Sequence, residues 1–138
     1  MIKNEQVVLI KKSWRIFRGI DPLVVGDTFY SKLFTDHPGL RRMFPRDMDT
    51  QYRKLMDMLN TIVARLDRPD ELTDDLREMA RRHTAYHVRP GHYKMVGNAL
   101  LWTLQQGLGS DWTEELKSAW NDCYGLVATT MINASHQS

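Results

Sequence analysis

The sequence predicts an all-α domain of about seven helices, and three observations carry that prediction. Nearly every apolar period falls at three- and four-residue spacing, which puts the apolar side chains on one face of a helix. No alternating apolar and polar run bounded by hairpin turns interrupts this pattern. Prolines fall at several junctions between the periodic stretches, where they separate helices.

The first helix, about Asn4 to Arg18, carries Val7, Ile10, Trp14 and Phe17 on one face and ends at Gly19. Asp21 followed by Pro22 reads as a cap with proline in the first turn, opening a second helix to about Thr35. Pro38 and Pro45 bracket a segment with Met43 and Phe44, too brief for more than a turn or two of helix. The stripe Leu55, Leu59, Ile62 and Leu66 marks a long helix from around Gln51 to Leu66. Pro69 separates it from the next, whose stripe is Leu72, Leu76, Met79 and Ala80, and which Pro90 and Gly91 are expected to stop. A further helix, about Gly91 to Gly107, buries Tyr93, Val96, Leu100, Leu101 and Leu104. The last is expected to begin near Asp111, with Glu114 three residues on completing a capping box, and to bury Leu116, Trp120, Cys123, Val127 and Met131. Helices so unequal in length do not form an up-and-down four-helix bundle. They pack at steep crossing angles, and such packing leaves room for an apolar pocket.

A length of 138 residues fits one domain over 1–138, long enough to bury a core without disulfides or structural metals. With 42% hydrophobic and 26% charged residues the chain is expected to be an ordered, soluble globular protein. A net charge of only +2 gives no case for nucleic acid, and the pairs Arg41–Arg42 and Arg81–Arg82 read as solvated helix faces. Cys123 is the one cysteine, which favours a reduced thiol and a cytoplasmic protein. The opening MIKNEQVVLIKKSW puts two lysines straight after a short apolar stretch, unlike a signal peptide or a membrane span, so no membrane partner is expected.

Two polar residues break the apolar stripes. His83 continues the line of Leu72, Leu76 and Met79 where another leucine would be ordinary, and Gln51 stands one turn before Leu55 on the preceding long helix. Two inward polar groups on two helices suggest a cavity with a ligand between them. On its own His83 could be a core histidine satisfied by backbone, and Tyr30 and Phe44 ordinary core aromatics. His83 and His87, one turn apart, could also chelate zinc, but no cysteine or carboxylate pattern supplies further ligands.

The stretches TFYSKLFTDHPGLRRMF, QYRKLMDML and RRHTAYHVRPGHYKMVGNALL, followed by WNDCYG at Trp120 to Gly125, carry a resemblance over nearly the whole chain. In their order and spacing the sequence resembles bacterial single-domain globins, and is similar to the haemoglobin domain of flavohaemoglobins and to neuroglobin-like bacterial globins. The resemblance implies a globin fold around a haem pocket, with haem b as cofactor. It makes His83 the proximal iron ligand and Phe44 the phenylalanine packed on the macrocycle. Tyr30, Gln51 and Leu55 would line the distal side, where oxygen, carbon monoxide or nitric oxide binds. An imidazole ligand needs an acceptor for its other N–H, and the Met79 carbonyl one turn earlier is the expected one. Lys54 and His87 are the expected partners of the haem propionates.

The function implied is reversible binding of oxygen and other diatomic gases, in storage, delivery or scavenging. Tyr30 and Gln51 would donate hydrogen bonds to the bound gas, and with glutamine at the distal position an open or water-bound sixth site is expected. Alternatives are nitric oxide dioxygenase or weak peroxidase activity with electrons from an external reductase, since no nicotinamide or flavin domain fits this length, and haem-based gas sensing. In flavohaemoglobin-like globins the proximal histidine is joined to a tyrosine and a glutamate. Tyr93 matches the tyrosine, but the glutamate position falls on Ser135, whose hydroxyl cannot supply the negative charge. That departure weighs against peroxidase-like activation and fast nitric oxide dioxygenation.

Overall fold

Several helices begin where a nearby side chain accepts from a backbone N–H left free at the start. In α1 (Asn4–Phe17) the Gln6 side chain reaches back to accept from the Lys3 N–H at 2.9 Å. In α2 (Pro22–Asp36) the Asp21 carboxylate accepts from the Leu23 N–H at 2.9 Å, as its place before proline predicts. A 3₁₀ helix, Pro38–Met43, fills the short proline-bracketed segment. There follow α3 (Asp49–Ala64), α4 (Pro69–Ala85), α5 (Pro90–Leu108), a 3₁₀ turn at Gly109–Asp111, and α6 (Glu114–Ser135). This computed structural model describes residues 2–85 and 89–135, without the side chains of His83, Thr84, Ala85 and Ser135. The all-α expectation of about seven helices is met, the very short third being the 3₁₀ helix.

Two boundaries differ from the sequence reading. Pro90 is the first residue of α5, because its fixed φ and missing N–H suit a helix start as well as they end a helix. Asp111 closes the 3₁₀ turn and caps nothing in α6; Thr113 does so, its hydroxyl oxygen accepting from the Leu116 N–H at 3.1 Å.

The helices pack as crossing pairs. The second helix lies against α3 and α5, while α6 receives α1, α4 and α5. Every apolar stripe read for α1, α3, α4 and α6 is buried, including Leu72, Leu76, Met79 and Ala80 of α4; in α5, Leu100 and Leu104 are buried and Tyr93, Val96 and Leu101 half-buried. Indole donors in this core find acceptors on other helices: Trp14 donates to Asn60 Oδ1 at 2.7 Å and Trp120 to Ser13 Oγ at 3.0 Å. At Gly26 the backbone of α2 meets α3 so closely that a Cβ would stand 2.4 Å from the Tyr52 Cβ. That contact sets the crossing which brings Tyr30 and Gln51 together.

The third and fourth helices behave differently. Although neighbours in sequence, they share no extensive face among the described residues; α3 packs on α2 and α1, and α4 on α6. Near their junction the Arg65 guanidinium pairs with the Asp75 carboxylate. No helix among the described residues is long and apolar enough to cross a membrane.

Candidate functional site

Tyr30, on the inner face of α2, is buried, and Gln51 in the first turns of α3 reaches it. The Gln51 Nε2 amide donates to the Tyr30 hydroxyl oxygen at 3.2 Å. A phenol has one proton to give and two lone pairs to receive with, so this contact leaves the Tyr30 proton uncommitted among the described residues. Burial pushes the hydroxyl up to about 12, opposed by the Gln51 hydrogen bond, so at neutral pH the group is a neutral donor. Phe44 closes one side, its ring centroid 5.4 Å from that of Tyr30 and inclined at 65°. Phe34 and Tyr52 pack on the same ring, at 5.8 and 5.7 Å, and Leu55 is buried one turn beyond Gln51. The structure thus brings together Tyr30, Phe44 and Gln51, three of the residues read from sequence.

Phe44 is held by a residue that the sequence reading placed elsewhere. Arg41 is half-buried, and its guanidinium donates to the carbonyls of Phe44 at 3.3 Å, Pro45 at 2.9 Å and Arg46 at 3.1 Å. It also stands 5.6 Å from the Phe34 ring centroid. Arg41 is therefore a clamp on the turn that presents Phe44, not part of a solvated helix face. The basic pair gave no sign of this, because three backbone carbonyls leave no mark on composition. Arg81 and Arg82 are exposed as expected, Arg81 pairing with Glu78 at 3.1 Å.

Most of the remaining site residues read from sequence lie on α4 or shortly after it in the chain, and α4 packs on α6. Residue 83 lies in its last turn, on the line of Leu72, Leu76 and Met79; the His83 side chain is outside the described residues, as is His87 altogether. Tyr93, in the first turn of α5, is half-buried, and burial pushes its hydroxyl up. Its backbone is fixed by a residue missed as a functional candidate: the Tyr124 hydroxyl donates to the Tyr93 carbonyl at 2.5 Å. Room for that ring exists because residue 97 is glycine, where a Cβ would lie 2.6 Å from Tyr124 Cε2. A tyrosine just off the buried stripe of α6 was the available signal. The side chain of Ser135 is outside the described residues. Lys54 is exposed and makes no ion pair among the described residues.

Two concavities adjoin these elements. A wide surface trough of about 760 Å³ runs along Pro38, Gly39, Arg41, Arg42, Phe44 and Arg46, and borders the aromatic cluster at Phe44 and Arg41. A smaller one of about 150 Å³ lies between the end of α1, α2 and α5, lined by Phe17, Val25 and Thr103 among others. Neither runs between α3 and α4.

The family model described as globin matches residues 27–131. A flavohemoprotein of Bacillus subtilis is 25% identical over 96% of this chain and 34% of its own length. The chain therefore spans about a third of that relative. Neuroglobin of Tetraodon nigroviridis is 30% identical over 94% of this chain and 90% of its own length. Among solved structures, an engineered carbene transferase from Rhodothermus marinus, named as a candidate nitric oxide dioxygenase, is 25% identical, superposes with a TM-score of 0.87, and shares 99% of this chain and 95% of its own.

Proposed function

The chain belongs to the globin family, and from that premise we propose that residues 1–138 form a single globin domain that holds haem b and reversibly binds oxygen and other diatomic gases. The observation that carries this reading is the buried Tyr30–Gln51 pair, with a neutral phenol whose proton has no acceptor among the described residues. A buried donor without an acceptor is costly unless a ligand supplies one.

The residues present fit haem. An aromatic and aliphatic wall formed by Tyr30, Phe44 and Leu55 suits one face of a flat macrocycle, and α3 and α4 lack the mutual packing that would exclude it. His83, in the last turn of α4, would hold the iron, Tyr93 would support that histidine, and Lys54 and His87 would pair with the propionates. Haem would supply an iron centre able to bind a gas molecule.

The chain's own residues account for retention and selectivity. The Gln51 amide donates into the Tyr30 oxygen, which orients the phenol and sharpens its proton as a donor. That proton is then offered to a ligand carrying partial negative charge, a description that suits oxygen better than carbon monoxide. Leu55 keeps the distal space small and apolar, which limits water. Arg41, by fixing the Phe44 turn, keeps the wall in place.

Absorption spectra of the purified protein, oxidised, reduced and with carbon monoxide, test the proposal. An intense band in the violet that shifts with carbon monoxide is expected, and His83→Ala should abolish the axial bond. A polypeptide that stays colourless when supplied with haem would end the reading.

The flavohemoprotein relatives and the Rhodothermus neighbour favour a second reading, nitric oxide dioxygenation with electrons from a separate reductase. Nitrate formed over many turnovers with cellular reductant would support it. Stoichiometric nitrate alone would leave gas binding as the function.

A further inference from the structure

Tyr52 has no part in ligand binding as described above, yet it is built tightly against the residue that does. Its Cβ and Cγ lie over Gly26, in contact only glycine allows, and its ring stacks on that of Tyr30 with centroids 5.7 Å apart and planes 24° apart. Tyr30 in turn borders Phe44. Tyr52 is half-buried, and the carboxylate of Asp27, exposed one turn before Tyr30 on α2, acts electrostatically on its hydroxyl. A buried phenol, a stacked surface phenol and a carboxylate thus follow one another from the distal space to solvent.

We propose that Tyr52 is a surface oxidation site, through which one-electron oxidising equivalents arriving at Tyr30 leave the distal space and reach small phenolic or ascorbate-like reductants. The proposal rests on the haem reading, because a peroxide must be reduced beside Tyr30 for equivalents to arrive. A phenol that loses an electron becomes so acidic that its proton must leave with it, so an electron path through tyrosine needs a base at the receiving end. Asp27 is that base. Near-parallel rings in contact provide the coupling between the two phenols. Burial first, then the charges of Asp27 and Asp49, push the Tyr52 hydroxyl up, while the Arg41 guanidinium acts the other way. Tyr52 therefore remains protonated at neutral pH and gives up electron and proton together.

The sequence balances. One hydrogen peroxide takes up two electrons and two protons and becomes two waters. Two molecules of the outside reductant each lose one electron and one proton, and end as radicals. Each electron passes from reductant to Tyr52 and on to Tyr30. At the surface Asp27 takes the Tyr52 proton and returns one when Tyr52 is reduced again, so neither tyrosine is consumed.

The test is a peroxide pulse on the haem-loaded protein in the presence of a nitroso spin trap, with the adducts located by peptide mapping. In the native chain the adduct is expected on Tyr52. It should vanish in Tyr52→Phe, which keeps the stacked ring, and fall at least tenfold in Tyr30→Phe; Asp27→Asn should lower its yield several-fold. Guaiacol oxidation should fall at least fivefold in Tyr52→Phe while the carbon monoxide spectrum stays the same. Adducts confined to tryptophans or to other tyrosines would overturn the proposal. So would a Tyr52 adduct that persists undiminished in Tyr30→Phe. Lack of the violet absorption band would instead overturn the haem reading, and this proposal with it.

Discussion

The decisive contact at the residue scale is directional. Because the Gln51 amide donates and the Tyr30 oxygen accepts, the phenol proton is left for a further acceptor. In the proposed gas-binding site the glutamine would act largely through the tyrosine. A hydrogen bond to a charged partner is worth about 1.5–3 kcal/mol, so Tyr30→Phe should speed oxygen dissociation by roughly ten-fold or more. Gln51→Leu removes only the orienting contact and should produce the smaller increase. Stopped-flow displacement of oxygen by carbon monoxide gives both rates, and a glutamine variant faster than the tyrosine variant would reverse the assignment. Spacing turned Gln51 inward and the family resemblance set Tyr30 beside the same space, but neither told which one donates to the other. That depends on a single interatomic direction, which residue spacing does not encode.

At the scale of elements, helix crossings depend on where side chains are missing. Gly26→Ala would place its Cβ 2.4 Å from the Tyr52 Cβ, between two backbones that cannot both move without shifting α2 from α3. Overpacking of this kind costs about 1–3 kcal/mol. Gly125→Ala in α6 is the matched control, since nothing lies within 4 Å of the added carbon. There the change should be neutral or stabilising, by about 0.5–1 kcal/mol, through helix preference alone. Chemical denaturation of both variants checks the pair, and equal midpoints would remove the close crossing as the cause. The elements themselves were legible because apolar spacing is local: the stripes of α1, α3, α4 and α6 are all buried. Their ends were less so. The Asp111–Glu114 pair has the spacing of a cap, but a 3₁₀ turn takes up Asp111 and hands the start of α6 to Thr113.

Across the whole molecule, several buried groups share one preference. Tyr30 and Cys123 are both pushed up to about 12 by burial, and Tyr124 is pushed up further by burial and the neighbouring Tyr93. Each is charged only when deprotonated, so a raised value means that the folded chain holds the proton more tightly than the unfolded one. Their contribution is complete below the ordinary values of the free groups and is lost as pH rises toward about 12. Thermal unfolding followed across alkaline buffers should show a midpoint falling steadily above about pH 9, where the free thiol begins to ionise. A flat profile through that range would contradict the burial of these groups.

How the halves of the molecule are joined gives the last expectation. The second and third helices are locked together at Gly26, whereas α4 is attached through one face to α6 and near its start by Arg65–Asp75. If the proposed haem is held by residues of both α3 and α4, with His83 in the last turn of α4 as its ligand, it would tie together two helices that share no extensive face among the described residues. Binding to the folded chain alone stabilises it in proportion to the logarithm of ligand over dissociation constant, about 4 kcal/mol at a thousand-fold excess. The gain should be concentrated where the unliganded chain is least held. Amide exchange followed by mass spectrometry should therefore show residues 69–85 opening fastest in the haem-free protein and slowing at least ten-fold on loading. The α2–α3 pair should change little. If residues 69–85 exchange at the same rate with and without haem, α4 does not depend on the cofactor for its place, and the ligand lies elsewhere than between these two helices.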